Sequence, residues 1–251
     1  MSAGPPAREI APGVHRLGSS LVNWYLVEEG GRLTAVDAGL PGYRKTLLSD
    51  LSLLGHVAGD VDALVLTHAD VDHTGLAAAL REAGARVLIH SANEPTLRRP
   101  MLTGDSTLVA ILPYLRRPPF LRFIAHLARH GGFSPAAVEG AETLSADDVL
   151  DVPGSPRVVA TPGNTPGHCA VHFKTKGVLF VGDALCTRNP VTGRVGAQVI
   201  PSALNVSTDQ CFESLHAIER TQAQVVLPGH GEPWRDGSAA AVSSGRRLGR
   251  S

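Results

Sequence analysis

Short apolar runs alternate with polar stretches rich in glycine and proline along most of the chain, and their spacing predicts strands and helices in turn. Residues 21–27 (LVNWYLV) and 33–37 (LTAVD) read as neighbouring strands. Leu47, Leu48, Leu51 and Leu54 recur at helical spacing and predict a helix over 43–54. Residues 61–67 (VDALVLT) form an apolar run ending at His68, as a buried strand would. Residues 74–83 read as a helix stopped by Gly84, and 86–90 (RVLIH) as the next strand. Ser91 with Glu94 has the form of a capping box opening a further helix. In the second half, 157–161, 169–174 and 177–182 read as strands, with Lys176-Gly177 in the turn between the last two. Residues 208–220 read as a helix and 223–227 (AQVVL) as a strand running into Pro228-Gly229-His230. Strand, loop, helix, strand in both halves predicts a layered α/β architecture.

Residues 95–135 break this rhythm. Two apolar clusters, Leu108 to Leu115 and Phe120 to Leu127, are interleaved with Arg116, Arg117, Arg122 and Arg129, and Pro118-Pro119 separates two expected helices. Three roles fit the pattern: amphipathic helices packed on the domain, a lid over a cleft, or a helix pair at a membrane surface.

Composition narrows the class. Of 251 residues, 43% are hydrophobic and 18% charged, as in a folded protein with a sizeable core. Lys plus Arg (23) balances Asp plus Glu (23), which argues against a dedicated nucleic-acid binder. Cys169, Cys186 and Cys211 form no CxxC pair, so neither a disulfide framework nor a Cys-rich zinc site is expected. Met1 to Pro12 lack the pattern of a secretory signal, and no apolar run reaches the roughly 18 residues of a membrane span. A cytoplasmic protein without stable membrane insertion is the expectation.

The candidate chemistry sits at strand ends. His68, Asp70, Asp72 and His73 lie within THADVDHTG, directly after an apolar run. Imidazole nitrogen and carboxylate oxygen at this density suit Zn, Mn or Fe. TPGNTPGH (161–168), FVGDAL (180–185) and LPGHGEPW (227–234) repeat the arrangement, placing Asn164, His168, Asp183 and His230 just after strands. Each element alone has a plain structural reading, a helix cap for Asp183 or a loop histidine for His230. Together they point to one site built at the ends of several strands.

This set of motifs resembles the metallo-β-lactamase fold superfamily, through VDAG at 36–39, THxxxDH at 67–73, TPGxTPGH at 161–168, GDAL at 182–185 and PGHG at 228–231. The resemblance runs from about 13 to 235. It implies a four-layer αββα sandwich carrying a helical insertion at about 95–135, with 1–12 and 236–251 as flexible tails. It also implies a metal cleft and hydrolysis by a metal-bound hydroxide. Carried over residue by residue, one metal position is complete: Asp72, His73, His230 and the bridging Asp183. The other keeps His68 but has Asp70 and Asn164 where the family has histidines. One imidazole, one carboxylate and one amide oxygen bind a late transition metal less well than three imidazoles. Three outcomes stay open: one metal at the complete position; two, with Asp70 ligating and Asn164 or His168 completing the set; or none. Asp37 is expected to orient a ligand loop from behind.

The altered position counts against the single-iron persulfide-oxidising branch, which uses it. The short segment after His230 counts against a thioesterase with a C-terminal helical domain. No flavodoxin-like domain suggests a flavin-linked reductase, and 95–135 is short for the insertion of nucleic-acid-cutting members. The expectation is a stand-alone hydrolase of a small-molecule ester, thioester, lactone or lactam, using Zn2+, or Mn2+ or Fe2+. Asp72 would act in catalysis as a holder of the activating metal, and Asp70 as general base if it is not a ligand. The alternative is a non-catalytic member that binds a metabolite or partner in the cleft.

Overall fold

The computed structural model describes residues 7–100 and 112–250. Seven strands form one mixed sheet in sequential order: β1 (Arg8–Ala11), β2 (Val14–Ser19), β3 (Val22–Glu29), β4 (Arg32–Val36), β5 (Val61–Val65), β6 (Arg86–His90) and β7 (Glu142–Leu144). The first four are antiparallel hairpin partners; β4 to β7 run parallel. Helices α1 (Arg44–Leu53), α2 (Ala77–Glu82), α3 (Glu94–Arg98) and α4 (Pro118–Arg129) lie in the connections after β4. Strands β8 (Arg157–Ala160), β9 (Cys169–Phe173), β10 (Val178–Gly182) and β13 (Val225–Pro228) form a second sheet in the order β13-β10-β9-β8, with β10 and β13 parallel. A small ribbon, β11 (Cys186–Arg188) with β12 (Val195–Gln198), precedes α5 (Thr208–Arg220), and α6 (Gly237–Leu248) follows β13.

The strand period of two separates the layers. In β3, Tyr25 and Val27 face one way and join Phe180, Val171, Phe173 and Leu227 of the second sheet. Trp24 and Leu26 face the other way and pack with Leu47 and Leu51 of α1, Leu80 of α2 and Phe120, Phe123 and Leu127 of α4. In β10, Val178 and Phe180 enter the inter-sheet core, while Leu179 and Val181 pack under Leu215 and Ile218 of α5 and Ala241 and Val242 of α6. Three cores between four layers make the αββα sandwich. The sheets are also tied at the edge: Asn23 N–H donates to Gly229 O (2.8 Å), and Tyr25 Oη to Pro228 O (2.7 Å).

Several expectations need correction. Residues 237–248 are not a tail: they form α6 (Gly237–Leu248), in which Ala241 and Val242 are buried. Arg8–Ala11 likewise adds an edge strand rather than fraying. Ser91 does not cap α3; the helix starts after Asn93, whose side chain instead donates to Thr165 Oγ1 (3.1 Å). Pro118-Pro119 open α4, where a proline's missing N–H costs nothing. Of the helix expected on the cluster Leu108 to Leu115, the described part is a 3₁₀ helix over Leu112–Arg116, and the rest lies outside the described residues.

Candidate metal centre

The C-terminal ends of β4 and β5 in one sheet, and of β10 and β13 in the other, open onto the same edge, and each delivers a polar loop. Asp37 follows β4, Thr67 to His73 follow β5, Asp183 follows β10 and His230 follows β13. His68 Nε2 lies 4.0 Å from Asp183 Oδ2 and 3.5 Å from Asp70 Oδ2. His73 Nε2 is 3.4 Å and His230 Nε2 3.3 Å from Asp183 Oδ1, and His230 Nε2 is 3.6 Å from Asp72 Oδ2. Two sets of three result, His68/His73/Asp183 and Asp72/His73/His230, with the ligand atoms in each set within 4.8 Å of one another. His73 belongs to both.

The hydrogen bonds behind these side chains fix which nitrogen faces inward. Asp37 accepts from His73 Nδ1 (2.9 Å), from Thr67 N–H (2.8 Å) and from Thr67 Oγ1 (2.9 and 3.0 Å to its two oxygens). The only hydroxyl proton of Thr67 is thereby committed to a carboxylate. The contact of Thr67 Oγ1 with His68 Nδ1 (3.0 Å) must then be donated by the histidine. His230 Nδ1 donates to Leu21 O (2.5 Å). All three imidazoles donate through Nδ1 to an acceptor behind them and turn Nε2 toward the centre, as metal-binding histidines do. His68 Nε2, His73 Nε2, Asp72 Oδ2 and Asp183 Oδ1 are buried without any hydrogen-bond partner. Four orphaned buried polar atoms converging on one point are costly unless a cation satisfies them, so the donor set fits a divalent metal.

The electrostatics agree. Burial works against ionisation of the carboxylates, but the facing imidazoles outweigh it: Asp37 and Asp70 titrate below and Asp183 well below the usual carboxylate range. Burial likewise opposes protonation of the imidazoles, yet Asp183, aided by Asp72, lifts His230 to about 9, and Asp183 with Asp37 lifts His73 well above its ordinary value. Carboxylates set the field here, and that field attracts positive charge.

The remaining candidates separate. His168 is not available as a ligand. Its Nε2 accepts from Asp183 N–H (3.1 Å), so its Nδ1 carries the proton and donates to Thr161 Oγ1 (2.8 Å). Burial pushes it down to about 3, a neutral imidazole that anchors the Asp183 turn. Asn164 is buried, with Nδ2 donating to Leu204 O (3.0 Å) and Oδ1 left without a partner. Asp70, about a third exposed, stands at the rim beside His68 and lies in neither set of three. Cys186 is buried, and burial raises its thiol well above the usual range, so it stays protonated and outside the site. Phe123, which meets the His230 ring edge-on at 5.5 Å, carries no signal in the sequence, being one apolar residue among many, while Thr67 opens the THxxxDH motif but only the structure shows its bonds to Asp37 and His68.

Comparison with known proteins gives a consistent placement. Residues 17–230 match the sequence profile of the metallo-beta-lactamase superfamily. A probable metallo-hydrolase of Bacillus subtilis, YflN, is 27% identical over 238 residues, covering 90% of this chain and 86% of its own length. A metallo-beta-lactamase family protein from Thermus thermophilus superposes with a TM-score of 0.69 at 25% identity, covering 96% of this chain and 79% of that one. BJP-1, a subclass B3 metallo-beta-lactamase of Bradyrhizobium japonicum, shares the fold with a TM-score of 0.69 at 17% identity, covering 98% and 91%. The layered core, the strand-end ligand loops and a match spanning most of its length together make this chain a member of the metallo-beta-lactamase superfamily.

Proposed function

We propose that the chain is a metal-dependent hydrolase that cleaves an ester, thioester, lactone or lactam at its carbonyl carbon. One observation carries the reading: two buried candidate ligand sets share His73, and His68 Nε2, His73 Nε2, Asp72 Oδ2 and Asp183 Oδ1 within them have no hydrogen-bond partner among the described residues. Asp72, His73, His230 and Asp183 would hold one cation. His68 with Asp183 and His73 offers a second place, with Asp70 at its rim. Imidazole nitrogen with carboxylate oxygen matches Zn2+ best, with Mn2+ or Fe2+ as the other candidates. Asp72, His73, His230 and Asp183 would hold a cation whose Lewis acidity would serve both to activate water and to polarise the substrate carbonyl. Asp70, about a third exposed and held below the usual carboxylate range by His68, would accept the proton of the attacking water. The same proton then passes to the leaving alkoxide, thiolate or amine.

Turnover of a chromogenic ester, thioester, lactone and lactam series, with and without added Zn2+, Mn2+ or Fe2+, tests the proposal. Metal-dependent turnover that disappears in His73→Ala is the expected result. Asp70→Asn should abolish turnover with metal content unchanged; loss of metal as well would make Asp70 a ligand rather than the base. A second reading, a non-catalytic member holding a metabolite in the cleft, draws on Asn164, whose amide is tied to Leu204 in place of an imidazole. Full metal loading with no turnover across all four carbonyl classes would favour it.

A further inference from the structure

The outer surface of α4 and the turn before it differs from the rest of the molecule. From residue 106 to 138 the sequence has Arg116, Arg117, Arg122 and Arg129 and no Asp or Glu, in a chain whose charges balance as a whole. All four arginines are exposed. Among the described residues none pairs with a carboxylate; Arg117 lies over the Tyr114 ring at 5.7 Å. Leu112 (57% exposed), Leu115 (45%) and Leu121 (49%) stand beside them. On α4, Phe120, Phe123 and Leu127 take the buried face, so Leu121, Arg122, Ala125, Ala128 and Arg129 share the outward one. Guanidinium groups and large aliphatic side chains are thus interleaved on one solvent-facing strip.

Neither component alone needs a partner; the combination does. Exposed leucines lose free energy to water, and unpaired arginines on a neutral protein are drawn to anions. A nucleic-acid backbone would satisfy the arginines but leave the leucines in water. A negatively charged lipid surface satisfies both: the aliphatic chains enter the acyl boundary while the guanidiniums meet headgroup phosphates. No helix among the described residues is long and apolar enough to cross a membrane, so the contact would be peripheral.

We propose that the Leu112–Arg129 strip docks the protein on an anionic phospholipid surface. The inner face of the same helix places Phe123 against His230, so docking sets a wall of the metal centre at the lipid boundary. The proposal stands on surface chemistry alone and does not depend on the activity of the site.

The test is co-sedimentation of the full chain with phosphatidylglycerol/phosphatidylcholine vesicles in equal parts, against pure phosphatidylcholine vesicles. Binding to the anionic vesicles only, weakening as salt rises, is expected. Arg116→Gln/Arg117→Gln should weaken it about 30-fold, roughly 5-fold for each charge removed. Leu115→Ser/Leu121→Ser should weaken it while the charge is unchanged. Arg246→Gln/Arg247→Gln, the same charge change on exposed positions of α6, should leave it unaltered. The proposal is overturned by no binding to anionic vesicles, by equal loss in both arginine variants, or by equal binding to neutral vesicles. It is also overturned by arginine-dependent binding to a DNA duplex in place of vesicles, or by a dimer in solution that these leucine substitutions dissociate.

Discussion

Asp37 makes no contact with the inward face of the site, yet it sets the orientation of two of its imidazoles, directly through His73 and through Thr67 for His68. It adopts a left-handed backbone (φ 58°), which asparagine tolerates, so Asp37→Asn changes the acceptor without forcing the loop. Metal affinity should fall about 10- to 100-fold, read by competition with a chelating dye, while the thermal midpoint stays nearly constant. An unchanged affinity would show that Asp37 is only a fold residue. Asp50 is a different kind of buried carboxylate. It accepts a single bond, from Ala7 N–H (3.1 Å), its other oxygen has no partner, and burial raises its pKa. A raised carboxyl pKa means that the folded state favours the protonated form. The ionised group therefore costs stability at neutral pH, and that cost disappears as pH falls toward the ordinary carboxyl range. Asp50→Asn should stabilise the protein by about 1 kcal/mol at pH 7, about 2–4 °C in midpoint, with the difference closing near pH 4. At this scale the chain discloses its candidate ligands readily, since His68, Asp72, His73, Asp183 and His230 follow apolar strand runs. It conceals which of two histidine-like positions serves. Only the bonds to Asp183 N–H and Thr161 Oγ1 show that His168 is already spent.

At the scale of elements, the loop after β13 illustrates how backbone makes room for chemistry. A Cβ on Gly229 would lie 2.4 Å from His73 Cε1 and 2.7 Å from Asp183 Oδ1. Gly229→Ala must therefore displace two candidate ligands, His73 and Asp183, at once. It should weaken metal binding at least about 10-fold without a loss of secondary structure by circular dichroism, and wild-type affinity in that variant would refute the close approach. Helix α6 makes the opposite point. Its sequence, rich in Gly, Ser, Ala and Arg, carries so little hydrophobic periodicity that it reads as a tail. Ala241 and Val242 nevertheless complete the cover over Leu179, Val181 and Leu215. A chain ending at Asp236 should lose at least about 5 °C of thermal midpoint, since burial of those two side chains alone is worth on the order of 2–3 kcal/mol. Edge strand β1 was hidden for the same reason: four residues with one buried apolar side chain give no pattern. The long strands and α1, α2 and α5 were legible because their apolar residues recur over two or more periods.

For the whole molecule, two sheets pack face to face and the parallel pairs β4/β5 and β10/β13 point their C-terminal ends at one edge. Layering follows from strand alternation and was foreseeable from α/β order. The pairing of one sheet edge with the other was not, because it depends on contacts such as Asn23 to Gly229 that span some two hundred residues of sequence. That edge gathers three imidazoles and two carboxylates, and the inward atoms of His68, His73, Asp72 and Asp183 find no hydrogen-bond partner among the described residues. The central claim is that they hold a divalent cation, with His73 common to every position. Metal content per chain, determined by elemental analysis after reconstitution with Zn2+, Mn2+ or Fe2+ and removal of excess, tests it most directly. Wild-type protein should retain at least about one equivalent, His68→Ala should keep the metal held by Asp72, His73, His230 and Asp183, and His73→Ala should retain none. Wild-type protein that stays empty with all three metals, or a His73→Ala variant that binds as much as wild type, would contradict it.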